Sequence, residues 1–242
     1  MNQARIITAF LLFIQTGHIL ASQLPKNSVL TLAMGPSLYQ AGQIQTLTLQ
    51  PNLQDTYRAN TPTSALFTGE LFLGAQRMVA ENLALQYGLA VATTSWANLS
   101  GMIWEAGEPQ FDNFTYHYRI THTHIVAQGK LLYETSSSYT PYLSTGVGAG
   151  FNYAYEFSMK PLLTEIVMQP PFLSNMQTAL SYEVGAGVFK EVSSQYALGL
   201  GYVFSDWGKS TLARANGQTM SSGLPLNHLY THQFQVSMSY YT

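Results

Sequence analysis

Leu180–Phe204, LSYEVGAGVFKEVSSQYALGLGYVF, has a two-residue period on both sides of a short turn. Leu180, Tyr182, Val184, Ala186 and Val188 alternate with Ser181, Glu183, Gly185, Gly187 and Phe189. After Lys190–Ser194 the pattern resumes, with Tyr196, Leu198, Leu200, Tyr202 and Phe204 against Ala197, Gly199, Gly201 and Val203. Successive side chains of a strand point to opposite faces, so this is a pair of strands joined by a tight turn. One face is large and apolar; the other is small, with a single carboxylate. A soluble sandwich would give the second face long charged side chains. A face this small and this poor in charge fits the lumen of a narrow barrel whose outside meets lipid.

Composition points the same way. Only 9% of the 242 residues are charged, against roughly 25% in an average globular protein. That supply cannot solvate an ordinary surface. Mean hydropathy is only +0.03, and past the N-terminus the chain lacks the run of about 18 apolar residues that a membrane helix requires. Moderate hydropathy with 16 Tyr and 19 Gly is what results when every second residue faces lipid. A formal net charge of -2 supplies no basic footprint for nucleic acid. With no cysteine, neither a disulfide framework nor a thiolate metal site can form.

Met1–Ala21 reads as a secretory signal: Arg5 is the positive n-region, Ile6–Ile14 a short apolar core, and Ala21 a small residue at a plausible cleavage point. Residues 22–242 are then the barrel domain. Eight strand-like segments follow: Val29–Leu38, Ala65–Ala75, Asn82–Thr94, Thr115–Leu132, Tyr139–Tyr155, Thr178–Phe189, Gln195–Ser205 and Leu229–Tyr241, the fourth with a phase shift expected at a bulge near His124. Their connections alternate strictly. Tyr39–Ser64, Ser95–Phe114, Glu156–Gln177 and Asp206–His228 are long and hold seven of the ten prolines, while Gln76–Glu81, Tyr133–Ser138 and Lys190–Ser194 are tight. An even-stranded up-and-down barrel sorts its loops this way, with the long ones on the outer rim.

Aromatic residues gather at both strand ends. Trp96, Tyr116, Tyr118, Tyr153, Tyr155, Tyr202, Phe204 and Tyr230 lie near the long loops, and Tyr139, Tyr196 and Tyr240 near the tight turns. They are the expected interfacial girdles, each ring buried and its polar tip wet. Glu70, Arg119 and Glu183 are the charges expected well inside strands, each on the small or polar phase. Since a charge on the lipid face costs roughly 2–4 kcal/mol for Arg or Lys at mid-depth, all three are assigned inward. With Gln86 and Asn152 they are expected to form a polar plug that fills the lumen, acting as a gate only if the ion pairs can exchange partners.

Other motifs in the chain are weaker. Gly146, Gly148 and Gly150 have the wrong spacing for a dinucleotide fingerprint and read as small lumen residues that let the walls approach. His122 and His124 share a strand face, but no carboxylate lies at a convincing sequence spacing, so neither a metal nor any other cofactor is expected. Asn98 and Asn113 open glycosylation sequons without consequence in a bacterial host. Nucleophile elbow, metalloprotease and phosphate-loop motifs are absent.

Alternating strands, sorted loops and the closing stretch Phe234-Gln235-Val236-Ser237-Met238-Ser239-Tyr240-Tyr241-Thr242 together resemble the small eight-stranded outer-membrane barrels of Gram-negative bacteria, of the OmpA-transmembrane, OmpX and OmpW type. The resemblance spans nearly the whole mature chain and is architectural. It implies an all-β antiparallel barrel in the bacterial outer membrane, surrounded by lipid and lipopolysaccharide, with Phe234–Tyr241 offered to the barrel-assembly machinery. The expected role is structural or adhesion-like, through outer loops that touch host surface ligands, and not enzymatic. Trp104, Phe111, Phe114, Phe172 and Trp207, with Trp96, are the expected loop anchors. A narrow channel for small or hydrophobic solutes is the alternative. A lipid- or peptide-modifying enzyme comes third and would rest on His117 and His228 with Asp112 and Asp206.

Overall fold

Eight long strands close on themselves through an unbroken ring of antiparallel pairings. The computed structural model describes residues 25, 27–163 and 169–242; the signal segment Met1–Ala21 lies outside the described residues. In chain order the strands are β1 Ser28–Gln40, β2 Ile44–Gln50, β3 Leu53–Asn60, β4 Ser64–Ala80, β5 Leu83–Thr94, β6 Ala97–Glu105 and β7 Asp112–Tyr133. They continue as β8 Tyr139–Pro161, β9 Asn175–Glu191, β10 Tyr196–Asp206, β11 Ser210–Thr211, β12 Pro225–Leu226 and β13 Tyr230–Tyr241. The ring runs β1–β4–β5–β7–β8–β9–β10–β13 and returns to β1, where Val29 pairs with Tyr241. All eight segments expected from periodicity are the eight ring strands.

Side chains are sorted as the alternation predicts. Leu180, Val184, Leu198 and Leu200 are 69, 54, 51 and 61% exposed on the outside, while Ser181, Glu183 and Ala197 on the other phase are 1, 4 and 1% exposed. Leu71, Leu89, Ile125, Leu143, Phe234 and Val236 continue the exposed belt around the cylinder. No residue pair of an aqueous sandwich would be arranged with its branched aliphatics outward and its serines and carboxylates inward; the arrangement is stable only when hydrocarbon is the outer solvent.

The predicted loops Tyr39–Ser64 and Ser95–Phe114 are largely folded instead. Strand β6 follows β5 after Ser95 and Trp96 and pairs with the outer half of β7; β3 pairs with β6, and β2 with β3. A three-stranded extension therefore rises above the ring. Its inner face carries Leu47, Leu49, Tyr57, Leu99 and Ile103, all buried against Tyr116, Tyr118, Phe157, Phe172, Leu212 and Leu226. Thr46, Arg58, Asn98 and Asn60 lie on the outer side. Within the ring, Phe72, Val126 and Ala90 fill the lumen at one level, and Tyr142, Phe189 and Leu132 fill it near the tight turns.

The bulge expected near His124 lies elsewhere. Between the pairs His117↔Ser158 and Arg119↔Tyr155, β8 has one residue more than β7, and Glu156 adopts φ 56° there. Inward phase on β8 passes from even residues up to Ala154 to Phe157 and Met159 beyond it, whereas β7 keeps its even residues inward from Phe114 to Leu132. One inserted residue thus bends the wall and turns two large side chains into the cap.

Candidate functional site in the barrel lumen

Near mid-height three strands aim polar side chains at one another. Strand β7 contributes His122, His124, Gln128 and Lys130, all on its even, inward phase and each 5% exposed or less. Glu70 comes from β4 and Glu183 from β9, both equally buried. Gln128 Nε2 donates to Glu183 Oε1 at 2.5 Å and to Glu70 Oε1 at 3.2 Å, tying the carboxylates together. His124 Nε2 lies 3.5 Å from Glu183 Oε2. One ligand atom from each of Glu70, His124 and Glu183 falls within 4.8 Å of the others, so these three are the side chains able to hold a metal ion among the described residues. Lys130 Nζ stands 4.6 Å from the Phe72 ring centre, where the ring face accepts its charge.

Above this level the connection after β10 folds inward and closes the cylinder. Trp207 is 2% exposed and stacks on His122, with ring centres 4.5 Å apart and planes 4° from parallel. Asn152 on β8 donates its amide to the carbonyls of Trp207 and Lys209, both at 2.9 Å, while its Oδ1 faces His122 Nδ1 at 2.7 Å. Ser181 Oγ holds the Asp206 carbonyl at 3.0 Å, and Gly208, at φ +70°, turns the chain back upward. Small wall residues make the room: a Cβ on Gly146 would lie 2.7 Å from Glu183 Oε1, and one on Gly150 2.8 Å from His122 Cε1.

Four of the five residues expected in the plug lie inside the cylinder, though not as one cluster. Glu70, Glu183 and Asn152 meet through Gln128 and the histidines. Gln86, fully buried, lies nearer the tight turns and donates to Gln76 Oε1 at 2.8 Å. Arg119 is not inside. Its guanidinium pairs outside the barrel with Glu156 at 2.7 Å and covers Trp96 at 5.4 Å. The inward cation is Lys130, whose position near the strand end hid it; the signal available was its shared even phase with His124 and Gln128.

Of the aromatic residues expected at the interfaces, Trp96, Tyr139, Tyr153, Tyr155, Tyr196, Tyr202, Phe204, Tyr230 and Tyr240 do face outward. Tyr153 stacks on Tyr155, Phe204 on Tyr230, and Tyr196 leans on Tyr240. Tyr116 and Tyr118 do not: both are buried under the extension, where the apolar face of β7 has changed from outside to inside. Among the loop anchors Phe111 is exposed and Trp104 lies under Arg58 at 5.6 Å, but Phe114, Phe172 and Trp207 are interior packing. Of the residues named for enzymatic use, His228 Nδ1 meets Asp206 Oδ2 at 2.8 Å on the rim, His117 Nδ1 meets instead Ser158 Oγ at 2.6 Å across β7 and β8, and Asp112 opens β7 apart from both.

In the extension, burial pushes the Asp55 carboxyl above its ordinary range, and the nearby Glu105 charge pushes the same way. Burial likewise raises the Tyr57 phenol beside it.

Closed antiparallel ring, even strand number, exposed apolar belt, girdles at both margins and polar interior together define an eight-stranded transmembrane β-barrel of the outer-membrane type. No family model and no curated protein matches the chain. Solved structures that it is similar to include Neisserial surface protein A (NspA), at 13% identity and TM-score 0.44 over 90% of this chain and 100% of that one. The outer membrane protein OprG from Pseudomonas aeruginosa matches at 9% identity and TM-score 0.47, over 90% and 98% of the two chains. The outer membrane protease OmpT from Escherichia coli matches at 7% identity and TM-score 0.49, over 89% and 97%. Membership of the class rests on the hydrogen-bonded ring and the sorting of side chains, independently of these likenesses.

Proposed function

We propose that this chain is an outer-membrane surface protein in which the barrel is an anchor and the folded extension of β2, β3 and β6 is the part that meets partners. One observation carries the reading: the extension buries its apolar face in a core shared with the outer halves of β7 and β8 and the connection after β10, above a lumen filled from Trp207 down to Phe189. A loop that only joined strands would not need Leu47, Tyr57, Leu99 and Ile103 beneath it. A rigid, polar upper face loses little conformational entropy on binding, which suits contact with host surface ligands or with neighbouring lipopolysaccharide. The outward apolar series Phe234, Val236, Met238 and Tyr240 on β13 is the feature that the barrel-assembly machinery would read.

Replacing residues 44–60 by a four-residue turn, with the variant and the full chain displayed on a Gram-negative host, tests the assignment. Attachment to cultured epithelial layers is expected to fall to background while the heat-dependent gel shift of a folded barrel persists. Unchanged attachment overturns it. In planar bilayers the full chain is expected to be silent; discrete openings would favour the narrow-channel reading, because a filled lumen offers a solute no continuous path.

A further inference from the structure

The ring nitrogens of the two buried histidines can be assigned from their partners. Asn152 gives both amide hydrogens to backbone carbonyls, so its Oδ1 is an acceptor and His122 Nδ1 must carry a proton. A neutral His122 then has a lone pair on Nε2, which lies 3.0 Å from His124 Nδ1 and accepts the proton there. In a neutral His124 the Nε2 is then a bare lone pair. It has no hydrogen-bond partner, is almost wholly buried, and points between Glu70 and Glu183.

Three electron pairs facing one another in a dry lumen repel unless a positive charge lies among them. Lys130 supplies one, yet among the described residues neither Glu70 nor Glu183 forms an ion pair with it within 4.0 Å, and two carboxylates against one ammonium leave a negative remainder. We infer that Glu70, His124 and Glu183 form a binding site for one divalent transition-metal ion of the zinc class. The chemistry of the donor set selects the ion: an imidazole with two carboxylates suits zinc or its neighbours, whereas calcium and magnesium prefer oxygen alone.

Geometry agrees. With metal–ligand bonds of about 2.0–2.1 Å, two donors on a tetrahedral zinc sit roughly 3.4 Å apart. His124 Nε2 and Glu183 Oε2 are already 3.5 Å apart, and the third donor, from Glu70, lies within 4.8 Å of both. The outer shell is built as well. Metal-bound histidines usually give their other N–H to an acceptor that fixes ring and tautomer; here His124 gives it to His122, which is clamped by Asn152 and by the Trp207 ring. Gln128 holds Oε1 of Glu183, leaving Oε2 toward His124, and also donates to Glu70 Oε1. The Gly146 and Gly150 positions keep that space clear on the β8 side.

Full-length mature chain, refolded in detergent with and without zinc and then passed over a chelating resin, tests the assignment. About one zinc per chain is expected to remain, and Co2+ in its place should give the visible absorption bands of a tetrahedral nitrogen and oxygen site. Glu183→Gln and His124→Phe are expected to retain less than about a tenth as much, with Glu191→Gln as a control that retains all of it. Should the variants fail to fold, the wild-type cobalt spectrum still decides. Wild type that keeps no zinc and shows no cobalt bands overturns the site and assigns the missing charge to a shared proton.

Discussion

Leu200 tests the central physical claim, that hydrocarbon and not water touches the outside of the ring. It lies on β10 midway between Tyr196 and Phe204, one at each aromatic margin, and is 61% exposed. On a protein in water, Leu→Arg at such a position would shift stability by no more than about 0.5 kcal/mol. At the middle of a bilayer the same change costs roughly 2–4 kcal/mol, a drop in the folded-to-unfolded ratio of about 30- to 700-fold. Reversible urea unfolding in phospholipid vesicles, followed by tryptophan emission, measures it. Thr48→Arg on the outer side of the extension is the matched control and is expected to change stability by less than about 0.5 kcal/mol. If Leu200→Arg unfolded at the wild-type midpoint, the apolar belt would not be a lipid-facing belt and the reading of the fold as a membrane protein would fail.

Three further outcomes follow from the interior. Trp207→Ala removes the ring that seals the lumen over His122, and truncating a buried aromatic of this size is expected to cost about 3–5 kcal/mol, visible as a lowered temperature of the gel shift. Gly146→Ala places a methyl carbon 2.7 Å from Glu183 Oε1 and is expected to cost about 1–3 kcal/mol, while Gly69→Ala, with open space around its Cβ, should be close to neutral; equal effects in urea titrations would contradict the close approach. Asp55→Asn bears on pH. Because burial raises the folded-state pKa of Asp55, the folded chain binds the proton more tightly than the unfolded chain, so its contribution is most favourable in acid and declines as pH rises through the carboxylate range. The asparagine variant is expected to unfold later than wild type at neutral pH, with the difference vanishing in acid; the opposite order in thermal melts would refute it.

The ring was legible because lipid imposes a strict rule on every second residue. Where the rule applies, from Leu180 to Phe204 or along β13, strand, face and girdle all follow from alternation. Above the bilayer the solvent changes and so does the sign of the rule. Tyr116, Tyr118 and Ile120 turn inward to a protein core, and Arg119, assigned inward by the lipid argument, sits in water beside Glu156. The extension itself left a readable trace, Leu47 and Leu49 alternating with Thr46 and Thr48, but its prolines and its position beyond the first strand made it look like a connection. The lumen cluster left almost none. Glu70, His124 and Glu183 come from β4, β7 and β9, far apart in sequence and on strands that are not ring neighbours, so only closure of the cylinder makes them adjacent.

The seam between β1 and β13 joins the two ends of the chain; at it the Thr31 and Ser239 hydroxyls meet at 2.8 Å although 208 positions separate them. Contacts this remote in sequence form late, because the intervening chain must be ordered first. Until that zipper shuts, the half-made wall is an open trough and the inward carboxylates are wet. An ion that balances their charge reaches them most easily before the last edge is joined, so the order of assembly bears on what the interior holds.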